Sequence, residues 1–169
     1  ADNTDLGVDW VEDVGSWSIV SNTLRQSTLA SSYFKCRHAT ALASNNYDSE
    51  VDGASDNVAN GYGAFGRGAT SATNTYYGFL GFGGDAFYIV EITAGVEGVL
   101  ASGGTCTSGV TYNVRLRCNG SSLTGFVNDV STVGPVTDTT LTSGAVGVAS
   151  NNGLETAARW VDNFAAADL

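Results

Sequence analysis

One dipeptide, Asn119-Gly120, constrains this chain more than any other feature, because it sits between two runs of alternating apolar and polar residues. The surrounding stretch, Thr111 to Val130, reads TYNVRLRCNGSSLTGFVNDV. Asn-Gly tolerates the two positive φ angles of a type I′ turn, whose twist matches that of paired strands, so the stretch is expected to be a β-hairpin. With those two residues as the loop, Cys118 would pair with Ser121, Leu116 with Leu123, Val114 with Gly125 and Tyr112 with Val127. Tyr112, Val114, Leu116, Leu123 and Val127 then share one face, while Asn113, Arg115, Arg117, Ser122 and Thr124 share the other. A slip of one residue would bury two arginines, so the pattern fixes which side faces inward. Phe126 breaks the pattern by standing on the polar face, where it is a candidate contact residue.

A single hairpin cannot hide its apolar face, so a second sheet must cover it. The chain offers the strands to build one. Ser16 to Val20 and Thr23 to Ser27 flank a Ser21-Asn22 turn, Ser32 to Leu42 alternates unevenly, and Ala86 to Ile92 is a continuous apolar run. Gly61 to Gly68 and Thr75 to Gly83 mix glycine with aromatics, which lets another backbone or a ring approach closely. Gly144 to Ala149 and Ala158 to Ala165 close the chain, and Ala1 to Gly15 is expected as loop and edge strand. No three-turn amphipathic helix and no repeat is evident. Roughly a dozen short strands, spaced by turn signals, predict an all-β fold: a two-sheet antiparallel β-sandwich or jelly roll occupying residues 1–169 as one domain.

Charge narrows the partners. Seventeen acidic residues against seven basic ones give a net charge of -10. Affinity for nucleic acid comes from lysine and arginine on phosphates, so nucleic acid is not an expected partner. The same argument disfavours an anionic membrane surface. No apolar run approaches the ~20 residues that span a bilayer, so membrane insertion is not expected either. Three cysteines leave at least one unpaired; a bridge between Cys106 and Cys118 is conceivable, and their spacing matches no zinc pattern.

Two places could carry chemistry. In Asn46 to Gly53, alternation sets Asp48, Glu50 and Asp52 on one strip of strand, where three carboxylates could serve glycoside hydrolysis, bind a cation, or form a solvated face. Near the end of the chain, Asp162 is expected to share its face with Trp160 and Phe164, and a carboxylate so placed needs a partner. The one histidine, His38, is expected to be packed or solvent-facing rather than catalytic. Asn119-Gly120-Ser121 matches the N-glycosylation acceptor pattern on an exposed turn, a match short enough to arise by chance.

The order GSWSIVSNTLR, NYDSEV, GYGAFGR, NTYYGFLGFGGDAFYIV, TYNVRLRCNGSSLTGFVND, TLTSGAVGVAS and WVDNFAAADL resembles the laminin G-like branch of the concanavalin A-like lectin/glucanase superfamily, across nearly the whole chain. The resemblance implies a jelly roll with one concave sheet. Its hydrolase branch carries Glu-x-Asp-x-x-Glu. Glu50-Val51-Asp52 copies the first half, but Ser55 stands where the third acid belongs, so no enzyme is expected. Many members hold a structural calcium between the N-terminal region and an acid of the last strand; Asp162 is similar to that acid, with Asp5 or Asp9 as the other side. Standalone domains of this kind resemble bacteriophage particle proteins. The resemblance therefore implies a non-catalytic structural or adhesion module on a virion, with capsid or tail proteins as partners and Tyr62, Tyr77 and Phe126 as aromatic anchors. The alternatives are a secreted carbohydrate-binding module, with tyrosines stacking on sugar rings and Asp or Asn bonding hydroxyls, and a glycosidase using Asp48, Glu50 or Asp52.

Overall fold

The computed structural model describes residues 6–26, 33–152 and 160–169 of the chain. Among them are fourteen strands and no helix: β1 Trp10–Val14, β2 Trp17–Val20, β3 Thr23–Gln26, β4 Tyr33–His38, β5 Tyr47–Ala54, β6 Gly61–Gly68, β7 Tyr76–Phe82, β8 Asp85–Thr93, β9 Val96–Cys106, β10 Tyr112–Asn119, β11 Ser122–Val127, β12 Val130–Thr137, β13 Ala145–Asn151 and β14 Trp160–Asp168. They form two seven-stranded antiparallel sheets. One runs β1-β4-β13-β6-β7-β8-β9 and the other β12-β11-β10-β5-β14-β3-β2. This is the expected sandwich.

The hairpin β10–β11 forms, but its loop lies one residue further along. Asn119 pairs with Ser122, Cys118 with Leu123 and Leu116 with Gly125. The loop is therefore Gly120-Ser121, and only Gly120 takes a positive φ, 57°. That is the sign pattern of a type II′ turn, with glycine at its first central position. Both faces survive the correction, because the pairing moves by two residues. Gly125 is covered by the Phe79 ring of the opposite sheet, and a Cβ there would stand 2.3 Å from a ring carbon. The pairs of left-handed residues that a type I′ turn demands occur elsewhere, at Ser21 and Asn22 (φ 53° and 63°) as anticipated, and at Asn128 and Asp129 (φ 48° and 66°) between β11 and β12.

Strand β12, which carries Pro135, is an addition to the strands read from the sequence. It lies at a sheet edge, the one place where proline is tolerated. Trp17, Tyr47, Tyr62, Tyr77, Phe79 and Phe87 fill the space between the sheets with Val114, Leu116 and Leu123. On the far side of the first sheet a second apolar cluster holds Phe65, Tyr76, Leu80, Val90 and Ile92. The adjacent tyrosines Tyr76 and Tyr77 thus serve opposite faces, as period-2 geometry requires. Chain from the 69–75 connection packs beside that cluster, where Asn74 donates to the Tyr33 carbonyl and Lys35 Nζ to that of Ala69.

Candidate functional site

The outward face of the second sheet sets three acids of β5 and two arginines of β10 into ordered rows. On β5, Tyr47, Ser49 and Val51 are buried, so Asp48, Glu50 and Asp52 turn to the other side. The antiparallel register then sets each acid beside a donor on β10: Asp48 opposite Arg117, Glu50 opposite Arg115 and Asp52 opposite Asn113. Opposite charges on directly facing positions attract, so the register and the polar pattern support each other.

The contacts follow the rows. Arg117 grips Asp48 with a fork, Nε to Oδ1 at 2.8 Å and Nη2 to Oδ2 at 2.7 Å. These charge-assisted bonds also raise the Arg117 guanidinium above its ordinary pKa. Arg115 reaches Asp48 at 3.4 Å, Glu50 at 4.0 Å and Asp129 at 3.2 Å. Asp52 accepts from Asn113 Nδ2 at 3.0 Å on one oxygen and from Asn163 Nδ2 at 2.9 Å on the other. Phe126, on β11 opposite Arg115, is half-buried. The Arg115 guanidinium carbon lies 4.5 Å from its ring centroid and that of Arg117 5.1 Å away. Two cations over one ring explain how an aromatic side chain is held on a polar face. On the other flank, Ala165 and Ala167 of β14 face Glu50 and Asp48, and both are exposed. Small side chains there leave the acids open from one side.

The three carboxylates are engaged unequally. Both oxygens of Asp52 accept hydrogen bonds and Asp48 is held by two guanidiniums, so only Glu50 is loosely engaged. Glycoside hydrolysis needs two carboxylates in separate acid and base or nucleophile roles.

Of the three expected aromatic anchors only Phe126 is at the surface. Tyr62 and Tyr77 are fully buried between the sheets and cannot touch a partner. Tyr62 packs over Gly53, and Tyr77 donates its hydroxyl to Asp138 while accepting from the Leu141 amide at 2.8 Å. Asp162 also departs from expectation. A bulge between Asp162 and Ala165, with Asn163 at φ 52°, turns Phe164 inward. Phe164 meets Trp10 edge-to-face at 5.0 Å between ring centroids and packs on the core, so it no longer shares a face with Asp162. Asp162 borders a cavity of about 160 Å³ with Asn22 and Asn163 but mostly apolar neighbours, among them Trp10, Leu24, Val161 and Phe164. Calcium takes six to eight oxygens, and among the described residues no group of three acidic, histidine or cysteine side chains is arranged to hold a metal. Asp9 is exposed; Asp5 lies outside the described residues.

His38 packs against Trp10 and Phe164, consistent with a structural role. The three cysteines are free and buried. Cys118 sits beside Gly66 and Tyr47 whereas Cys106 sits beside Gly81, so the conceivable bridge does not form.

The residues the sequence analysis did not single out as a site are Asn113, Arg115, Arg117 and Asn163. The first three were legible as the polar stripe of the hairpin; what was missing was the strand beside them. No protein-family model and no curated protein matches this sequence. Among solved structures, the chain is similar to the carbohydrate binding module CBM66 from Bacillus subtilis, with TM-score 0.77 at 13% identity over 94% of each chain. It is similar to a Bacillus subtilis protein of unknown function with a galectin-like fold, with TM-score 0.65 at 12% identity over 98% of this chain and 94% of that one. It also resembles the exoplasmic/lumenal domain of VIP36 in its Ca2+/Man-bound form, with TM-score 0.63 at 11% identity over 95% and 83%. At these identities the likeness establishes the fold alone: a two-sheet antiparallel jelly-roll sandwich.

Proposed function

We propose that this chain is a non-catalytic glycan-binding module that takes an oligosaccharide across the β10–β5–β14 face. The observation that carries the reading is the row-by-row match of Asp48, Glu50 and Asp52 with Arg117, Arg115 and Asn113. Ion pairs within the sheet hold both sets of side chains in place before a ligand arrives, so little rotamer entropy remains to be lost on binding. The remaining lone pairs and N–H groups suit sugar hydroxyls, which both donate and accept, and Phe126 offers apolar surface to C–H groups. Ala165 and Ala167 leave room for the ring. The likeness to a carbohydrate binding module and to a mannose-bound domain supports the class of ligand. A role on a virus particle, docking to capsid or tail proteins, rests on the sequence resemblance alone, and no side-chain cluster among the described residues favours it over glycan binding.

Amide chemical-shift mapping with an oligosaccharide selected on a glycan array tests this reading. The shifts are expected along β5, β10 and β14, around Glu50, Arg115 and Ala165. Shifts confined to the other sheet would refute the assignment of the face.

A further inference from the structure

A second polar site lies at the end of the sandwich, around Arg67. Among the described residues, Lys35, Arg37, Arg115 and Arg117 each reach a carboxylate, while Arg25 and Arg67 do not. Arg25 is half-exposed, but Arg67 is only 3% exposed. Its guanidinium is held by carbonyls alone: Nη1 donates to Leu141 at 2.9 Å, and Nη2 to Asn45 at 3.3 Å and to Gly120. Nε is buried with no acceptor. A buried cation is costly unless a counter-charge faces it, and carbonyl dipoles meet only part of that need.

The backbone is bent to put Arg67 there. A bulge in β6 against β13, between the Phe65 and Gly68 pairings, coincides with a left-handed φ of 52° at Arg67. A non-glycine residue in that region is disfavoured, and bulges of this kind re-aim a side chain. Here it is aimed to line a cavity of about 260 Å³ with Asn45, Asn46, Ser121, Asp138, Thr139 and Thr142. Asp138 does not neutralise the guanidinium within ion-pair distance; its carboxylate receives the Tyr77 hydroxyl and the Thr140 amide.

From the unpaired buried guanidinium and the ring of amides and hydroxyls around it, we infer that this cavity binds a sugar acid, with the carboxylate on Arg67 and the hydroxyls on the Asn, Thr and Asp138 groups. With both Nη2 hydrogens and one on Nη1 given to carbonyls, the remaining N–H groups can meet a carboxylate only through single charge-assisted bonds, so the recognition is by charge rather than by a two-point fork. Asp138 suits the hydroxyl side, since a carboxylate accepts from hydroxyls and repels a second anion, which fixes the orientation of the ring. This site is separate from the sheet face and does not depend on it.

Because Arg67 also ties three chain segments together, its removal would mix folding with binding, so plugging the cavity carries the test. Thr142 is exposed at the lining, and Thr142→Trp would fill the space from outside. Wild type, Thr142→Trp and Arg117→Ala are titrated with glucuronate, galacturonate, galactose and acetate, following amide and Arg67 Hε signals. One uronate is expected to move residues 45–46, 120–121 and 139–142, binding at least about tenfold more tightly than galactose or acetate. Thr142→Trp should lose that response and Arg117→Ala should keep it. The inference is overturned by silence of those signals with both uronates, by galactose or acetate matching them, by Thr142→Trp binding as wild type does, or by loss in Arg117→Ala.

Discussion

Replacing Gly125 with alanine is a small change with a large expected cost. Gly125 lies at the centre of β11, its Cα side turned to the opposite sheet, and an added Cβ would stand 2.3, 2.6 and 2.6 Å from three carbons of the Phe79 ring. Ordinary van der Waals contact begins near 3.4 Å, so the ring must retreat by more than an ångström. It has little room, because Phe79 is fully buried and Phe87 stacks on it at 5.9 Å. Overpacking of a filled core costs about 1–3 kcal/mol, and this site belongs at the upper end. For a chain of this size that lowers Tm by roughly 5–10 °C. Phe79→Leu alone should cost about 1–2 kcal/mol through lost contact and residual cavity. Together the two changes should relieve one another, since leucine vacates the space that the new methyl needs. Chemical denaturation of the four proteins should show the double variant at least ~1 kcal/mol more stable than additivity predicts, a coupling expected only of residues in contact. Strict additivity would mean that Gly125 and Phe79 do not meet, and the facing of the two sheets would be wrong.

Other expectations follow from single contacts. Tyr77→Phe removes a hydroxyl that serves both Asp138 and the Leu141 amide, and should cost about 1–3 kcal/mol while raising hydrogen exchange in residues 138–142. Burial acts to raise the Asp138 carboxyl, but the Tyr77 and Thr140 bonds outweigh it and hold it below the ordinary value of 3.8. Its contribution is therefore complete above that ordinary value and is lost as pH falls through the lower folded one; in Tyr77→Phe this acid-side loss should shrink. Burial, then Asp138, push the Tyr77 phenol from 10.0 up to about 12, so its stabilisation is present below pH ~10 and lost as pH rises toward ~12. Burial likewise pushes the Cys118 thiol up to about 12 and Cys106 to about 11, so both should resist a thiol reagent at pH 8 until the protein is unfolded. Rapid labelling of the native chain would contradict their burial. Asp48→Asn should loosen Arg117 and Arg115 together, at about 0.5–2 kcal/mol, with smaller losses at high salt.

The two-sheet architecture was legible because period-2 alternation and turn chemistry are local. The faces of β5 and β10 could be assigned from Tyr47 to Val51 and from Val114 to Leu116 without knowing their neighbours. What local pattern could not supply was adjacency. That β5 lies beside β10, so that Asp48 meets Arg117, depends on a pairing between residues 69 positions apart. Tyr62 and Tyr77 were misjudged for the same reason: glycine-rich aromatic strands look alike whether a ring faces the interior or a partner. The bulges at Asn163 and Arg67 were also invisible, since asparagine and arginine carry no signal as strong as glycine for a left-handed backbone. One brings Asn163 to Asp52 and the other turns Arg67 into the end cavity.

The most direct test of the central proposal is a printed glycan array probed with labelled wild type beside Arg117→Ala and Glu50→Gln. Both variants alter outward side chains of one sheet and leave the core intact. Wild type is expected to bind a defined set of oligosaccharides, and that binding to be lost or sharply weakened in both variants. Binding of the same glycans at unchanged strength by both variants, or of none by wild type, would contradict it.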